Sequence, residues 1–124
     1  NRQLDSLSGG QRQRAWIAMA LTQDTDVLLL DEPTTYLDLA HQIEILELLK
    51  DLNNKTKKTI VIVIHELNHA ARYAHNLVCM KNGNIYSQGG VDDVFNENML
   101  RDVFGVDSIV ISDPITQRPM CIPK

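Results

Sequence analysis

The sequence predicts an α/β fold: a parallel sheet with antiparallel hairpins at its C-terminal end. Three observations carry this. Val27–Leu30 and Thr59–Ile64 are unbroken apolar runs, as expected of parallel strands. The segment between them repeats apolar residues at helical spacing, and Asn82-Gly83 is the dipeptide a tight type I′ hairpin needs.

Residues 10–22 contain Ala15-Trp16-Ile17-Ala18-Met19-Ala20-Leu21, apolar all round, which predicts a buried helix. Val27-Leu28-Leu29-Leu30 then runs into Asp31-Glu32-Pro33; it reads as a strand covered on both faces, and the proline ends it. Asp38 is placed to N-cap a helix carrying Leu39, Ile43, Leu46 and Leu49, closed near Asn53-Asn54. Thr59–Ile64 is the strongest β signal, again apolar throughout. Leu67, Ala70, Ala71 and Ala74 mark a short helix face. Leu77–Lys81 and Asn84–Ser87 flank the Asn82-Gly83 turn, Gly89-Gly90 breaks the chain, and Val91, Phe95, Met99, Val103 and Phe104 predict one or two short helices. Ser108–Ser112 and Pro119–Ile122 form a last hairpin around Asp113-Pro114.

Composition bounds the function. The 124 residues carry 12 Lys+Arg against 16 Asp+Glu, a net charge of −4, with no basic run to attract nucleic acid or an anionic membrane. The 44% of apolar residues suits a folded chain of one domain's length. No apolar stretch is long enough to span a bilayer, and the first residues lack the build of a signal peptide. Two cysteines, Cys79 and Cys121, make no disulfide framework and suit a reducing compartment. The chain opens on Asn1-Arg2-Gln3-Leu4 without Met, close to a glycine motif, and reads as a piece of a longer protein.

Asp31 and Glu32 follow an apolar strand, and in open parallel sheets ligands sit at the carboxyl ends of strands. Adjacent acids there offer one carboxylate for Mg²⁺ and one to orient or deprotonate a water. The plainer reading is a strand that ends in polar residues. His65 stands in the same relation to the second strand; it is either a polar terminator or a donor to a phosphate oxygen. Leu7-Ser8-Gly9-Gly10-Gln11 gives a close-approach turn before a helix start, which presents free N–H groups to an anion or simply begins the helix. The usual phosphate cradle, G-x-x-x-x-G-K-[ST], is absent: none of the six glycines is followed by Lys.

Taken together, Leu7-Ser8-Gly9-Gly10-Gln11, Val27–Thr34, Thr35-Tyr36-Leu37-Asp38 and Ile64-His65 resemble the signature motif, Walker B motif, D-loop and switch histidine of ABC-transporter ATPases, in order and at the family's spacing. The resemblance covers essentially the whole chain. Trp16–Leu21, Thr34–Gln42, Glu66–Ala74 and Asp113–Pro119 are similar to the ATPase subunits of bacterial iron–siderophore importers, with haem and cobalamin importers as relatives. Glu66 departs from the commoner Asp, and Gly90-Val91 from a common Pro.

The resemblance implies the core of a P-loop NTPase fold lacking its N-terminal half, with residues 1–76 holding the motifs and 77–124 the C-terminal hairpins and short helices. It implies ATP hydrolysis coupled to import, with ATP and Mg²⁺ as cofactors. Asp31 would help hold Mg²⁺, Glu32 would be the catalytic base or water-positioning group, and His65 would contact the γ-phosphate. Ser8, Gly9, Gly10 and Gln11 would meet the nucleotide of the opposite subunit, and Asp38 would link the two sites. The implied partners are a second ATPase subunit in a homodimer, transmembrane permease subunits and, indirectly, a substrate-binding protein, at the cytoplasmic face of a bacterial membrane. No nucleic acid is expected. Two alternatives stand beside this: an ATPase of the same kind serving DNA repair or translation, and a non-catalytic stub that binds a full-length partner.

Overall fold

The computed structural model describes residues 8–124, so Leu7 of the glycine motif and the opening residues lie outside the described part. The chain divides into two compact units, the first ending at His65 and the second Glu66–Lys124.

In the first unit, α1 (Gly9–Leu21) leads to β1 (Val27–Asp31), α2 (Leu39–Thr56) and β2 (Thr59–Val63). The two strands pair in parallel, Val27 opposite Thr59 through Asp31 opposite Val63. One β-α-β crossover therefore brings both strands' carboxyl ends to the same edge. Asp38 caps α2 as its position predicts, accepting from the His41 amide at 2.9 Å. Lys57 closes that helix in the left-handed conformation, one turn beyond the predicted stop.

Ile17, Ile45 and Leu49 form the core here, with Leu30, Ile60 and Ile62 packed against them from the sheet. Full burial of such a side chain contributes about 1.5–3 kcal/mol. Alternation along the strands decides the rest. Leu28, Leu30, Ile60 and Ile62 face the helices, whereas Val27, Leu29, Val61 and Val63 stand exposed on the other face, Leu29 at 72%. The expectation of strands covered on both faces is therefore corrected: α1 and α2 cover one. Likewise α1 is buried at Gly10 and Ile17 while Trp16 and Met19 are half exposed, because a single helix in contact with α2 has one inner face. On α2 the buried stripe is Ile45, Leu46 and Leu49, and Leu39 and Ile43 point outward.

The second unit runs α3 (Leu67–Tyr73), β3 (Asn76–Lys81), β4 (Asn84–Gly90), α4 (Val91–Val94), α5 (Glu97–Phe104), β5 (Ser108–Ser112) and β6 (Pro119–Pro123). Asn82 and Gly83 both take positive φ, 52° and 77°, as the I′ turn requires. Gly89-Gly90 does not break β4. The backbone ladder continues through Leu77 opposite Gly89 and Asn76 opposite Gly90, since a ladder needs peptide groups and no side chain. Among the described residues, the hairpins β3–β4 and β5–β6 are each a two-stranded sheet.

Ala71, Val91, Phe95, Met99, Leu100 and Cys121 make the second core. Helix α3 is fastened to the last hairpin by polar bonds. Arg118 donates to the carbonyls of Ala71 and Ala74, and Arg72 pairs with Asp113 at 3.8 Å. No described helix is long and apolar enough to cross a membrane.

Candidate functional site

Parallel pairing sets Asp31, Glu32 and His65 along one edge. The Glu32 amide donates to the Val63 carbonyl at 2.9 Å, so the ladder runs one rung past Asp31 before the chain turns away. At that turn Glu32 has a φ of 51°, a left-handed backbone that a branched-free side chain tolerates at a cost. The Thr35 amide then closes on the Glu32 carbonyl, and Leu37 on that of Thr34. His65 sits two residues beyond β2, and its Nε2 pairs with Glu32 Oε1. The imidazole is 70% exposed and the carboxylate 39%, so both face solvent at the edge. Asp31 is exposed beside them.

A hard divalent cation such as Mg²⁺ takes one or two carboxylates and completes its shell with water and phosphate oxygens. No group of three metal-ligating side chains occurs among the described residues. An exposed carboxylate pair at a strand edge is a donor set that fits this open mode and does not fit an all-protein cage.

The predicted glycine turn forms a second group. Ser8 N-caps α1: its Oγ accepts from the Gln11 amide and Gln11 Oε1 accepts from the Ser8 amide, each at 3.2 Å. The side chain of Gln11 is thus engaged in the cap. Helix geometry leaves the Gly9 and Gly10 amides without intrahelical acceptors. Both glycines also serve packing. A Cβ on Gly9 would lie 3.3 Å from Leu37 Cδ2, and one on Gly10 would lie 2.8 Å from His41 Cδ2. Farther along, Arg14 pairs with Glu44 between α1 and α2.

Asp38 joins that second group. Its carboxyl is held below the usual carboxylate range, first by the His41 backbone N–H and further by the His41 imidazole, whose Nδ1 lies 2.9 Å from Oδ1. The structure therefore gathers Glu32 with His65, beside Asp31, and Ser8, Gly9 and Gly10 with Asp38. His41 stands in the second group as well. Its signal is weak: a His three residues after a capping Asp. The shallow depression in the second unit, lined by Phe95, Asn96, Glu97, Asn98 and Val110, holds none of the predicted site residues.

Known proteins resemble this chain in sequence and in fold. The sequence model of the family described as "ABC transporter" matches residues 1–35. A Bacillus subtilis protein named as a siderophore transport system ATP-binding protein, YusV, is 56% identical over 123 residues, 99% of this chain and 45% of that protein. The iron(3+)-hydroxamate import ATP-binding protein FhuC of the same organism is 53% identical over 121 residues, 98% of this chain and 45% of its own length. A solved ABC transporter described as of metal-chelate type, in an inward-facing conformation, superposes with a TM-score of 0.89 at 30% identity over 100% of this chain and 50% of that one. The chain thus spans about half the length of the proteins it matches. Over nearly its whole length, the chain is similar to part of these ATP-binding proteins of ABC transporters.

Proposed function

We propose that this chain is part of an ATP-hydrolysing subunit that powers ABC-type import, with iron–siderophore complexes as cargo. The observation that carries the reading is the pairing of Glu32 with His65 at the carboxyl edge of two parallel strands. The substrate class rests on the names of the relatives, siderophore and iron(3+)-hydroxamate import ATP-binding proteins.

When bound, Mg-ATP supplies the phosphoryl group, and its cation neutralises charge on the phosphate oxygens. Asp31 is the residue to hold that cation, through water, from its exposed position at the end of β1. Glu32 orients a water and takes up its proton, and the imidazole of His65 offers its N–H to that carboxylate or, with nucleotide present, to a phosphate oxygen. Ser8, Gly9 and Gly10 present a hydroxyl and two helix-start amides to an anion. Asp38, kept ionised beside His41, borders that turn. The partners are a second copy that completes each site, permease subunits and, through them, a substrate-binding protein. The place of action is the cytoplasmic face of a bacterial membrane.

The test is Glu32→Gln in the full-length subunit. The amide keeps the shape and a hydrogen bond to His65 but loses the basicity. Turnover should fall by about 10²–10⁴-fold, the usual worth of a general base, while Mg-ATP affinity is kept. Equal loss of binding and turnover would mean that Glu32 is structural.

A further inference from the structure

We propose that His41 is a positioning residue of the ATPase site, joining the turn at Gly10 to the aspartate at the head of α2. The inference rests on the function proposed above and adds a residue to it.

The imidazole makes two contacts of different kinds. One edge packs against Gly10 so closely that a Cβ there would come within 2.8 Å of His41 Cδ2 and 3.2 Å of Cγ. On another side, Nδ1 meets Asp38 Oδ1 at 2.9 Å. The cap of α2 does not need this second contact, because the backbone amide of His41 already donates to the same oxygen at 2.9 Å. Any residue but proline at position 41 supplies that amide. The side chain is therefore surplus to helix capping, and what it adds is a link. Gly10 is buried, and Gly9 lies against Leu37, so the first turn of α1 is seated on the segment 37–41. With His41 in place, the anion-facing amides of that turn and the Asp38 carboxylate move as one body. Without it, Asp38 keeps its cap but loses its tie to Gly10. Misplacing groups that must meet one ligand together lowers turnover more than affinity.

This also gives Gly10 a second reason to be glycine. Its missing Cβ makes room for the His41 ring, independently of any nucleotide.

The experiment measures steady-state ATP hydrolysis by the full-length subunit with its permease for wild type, His41→Ala, His41→Asn, Gly10→Ala and the double variant Gly10→Ala/His41→Ala. His41→Ala should lower kcat about tenfold and leave KM for Mg-ATP within about twofold. His41→Asn, whose Nδ2 can donate to Asp38 in place of Nδ1, should recover most of the loss even if the alanine variant folds poorly. Gly10→Ala should be severely impaired with His41 present and partly rescued when residue 41 is alanine. The proposal is overturned if His41→Ala hydrolyses at the wild-type rate, if Asn rescues nothing, or if Gly10→Ala is equally impaired in both backgrounds. A wild-type subunit that hydrolyses no ATP would instead overturn the function on which it rests.

Discussion

Asn68 makes two hydrogen bonds to a single residue, Cys121: its Oδ1 accepts from the Cys121 amide at 2.8 Å and its Nδ2 donates to the Cys121 carbonyl at 3.1 Å. The side-chain amide acts as one more peptide unit beside β6, and α3 is thereby held to the last hairpin by a bond pair that spans most of the second unit's sequence.

Asn68→Ala should therefore destabilise the second unit. Both backbone groups of the buried Cys121 lose a partner, and an unsatisfied buried group costs about 1–3 kcal/mol. Urea unfolding followed by circular dichroism would show a lower midpoint. An unchanged midpoint would mean that water replaces the amide at no cost.

Acid should weaken the same unit. Asp113 accepts from the Ile115 amide at 2.8 Å and from that of Thr116, faces Arg72, and its carboxyl is held below the usual range, the Ile115 N–H being the first cause. A carboxyl whose pKa is lower in the folded state contributes stability that is complete above the unfolded value, about 3.9, and is lost as pH falls through the folded value. Thermal unfolding from pH 6 down to pH 2 should show this loss, and Asp113→Asn should flatten that part of the profile. A variant as acid-sensitive as wild type would place the titrating group elsewhere.

The bare face of the parallel sheet should make the isolated 124-residue chain associate. Val27, Leu29, Val61 and Val63 lie exposed on one face of the pair, and contiguous apolar surface of this kind seeks cover. Light scattering should detect species larger than a monomer. Leu29→Glu with Val61→Glu should shift the chain toward monomer and leave the helix content intact, since neither side chain belongs to the core. Wild type that stays monomeric at high concentration would refute this.

ATP binding by the isolated chain should be too weak to measure. Helix-start contacts of the Ser8–Gly10 kind contribute about 0.3–1 kcal/mol when exposed, and millimolar affinity already needs about 4 kcal/mol. No glycine of the chain is followed by the lysine of a phosphate cradle. Calorimetry with Mg-ATP is the check, and micromolar binding would be the contrary result.

Much of the fold can be read from residue order because its signals are local. The apolar runs at 27–30 and 59–64 become β1 and, but for its last residue, β2; Asp38 is a cap and Asn82-Gly83 a turn in the sequence as in the structure. Coverage is another matter. An apolar run records that a residue avoids water in its working state and does not say which segment covers it, so Leu29 and Val61 read as buried. Gly89-Gly90 misleads because glycine weakens a strand on average, whereas here the pairing with Asn76 and Leu77 holds it. The positive φ of Glu32 and the nearness of His41 to Gly10 leave no trace in composition or periodicity. They arise from how two helices and a turn meet in space.

The crossover that joins Glu32 to His65 has a consequence for the order of events in folding. The two residues face each other only where β2, carried back by α2, lies alongside β1. Long-range parallel pairing pays its loop-closure entropy before any contact repays it, which makes it a slow step. A nascent or partly folded chain can thus possess the capped start of α2 and the β3–β4 hairpin, both made from neighbours in sequence, while its carboxylate and imidazole are still apart. The pair comes into being late, with the tertiary structure rather than before it.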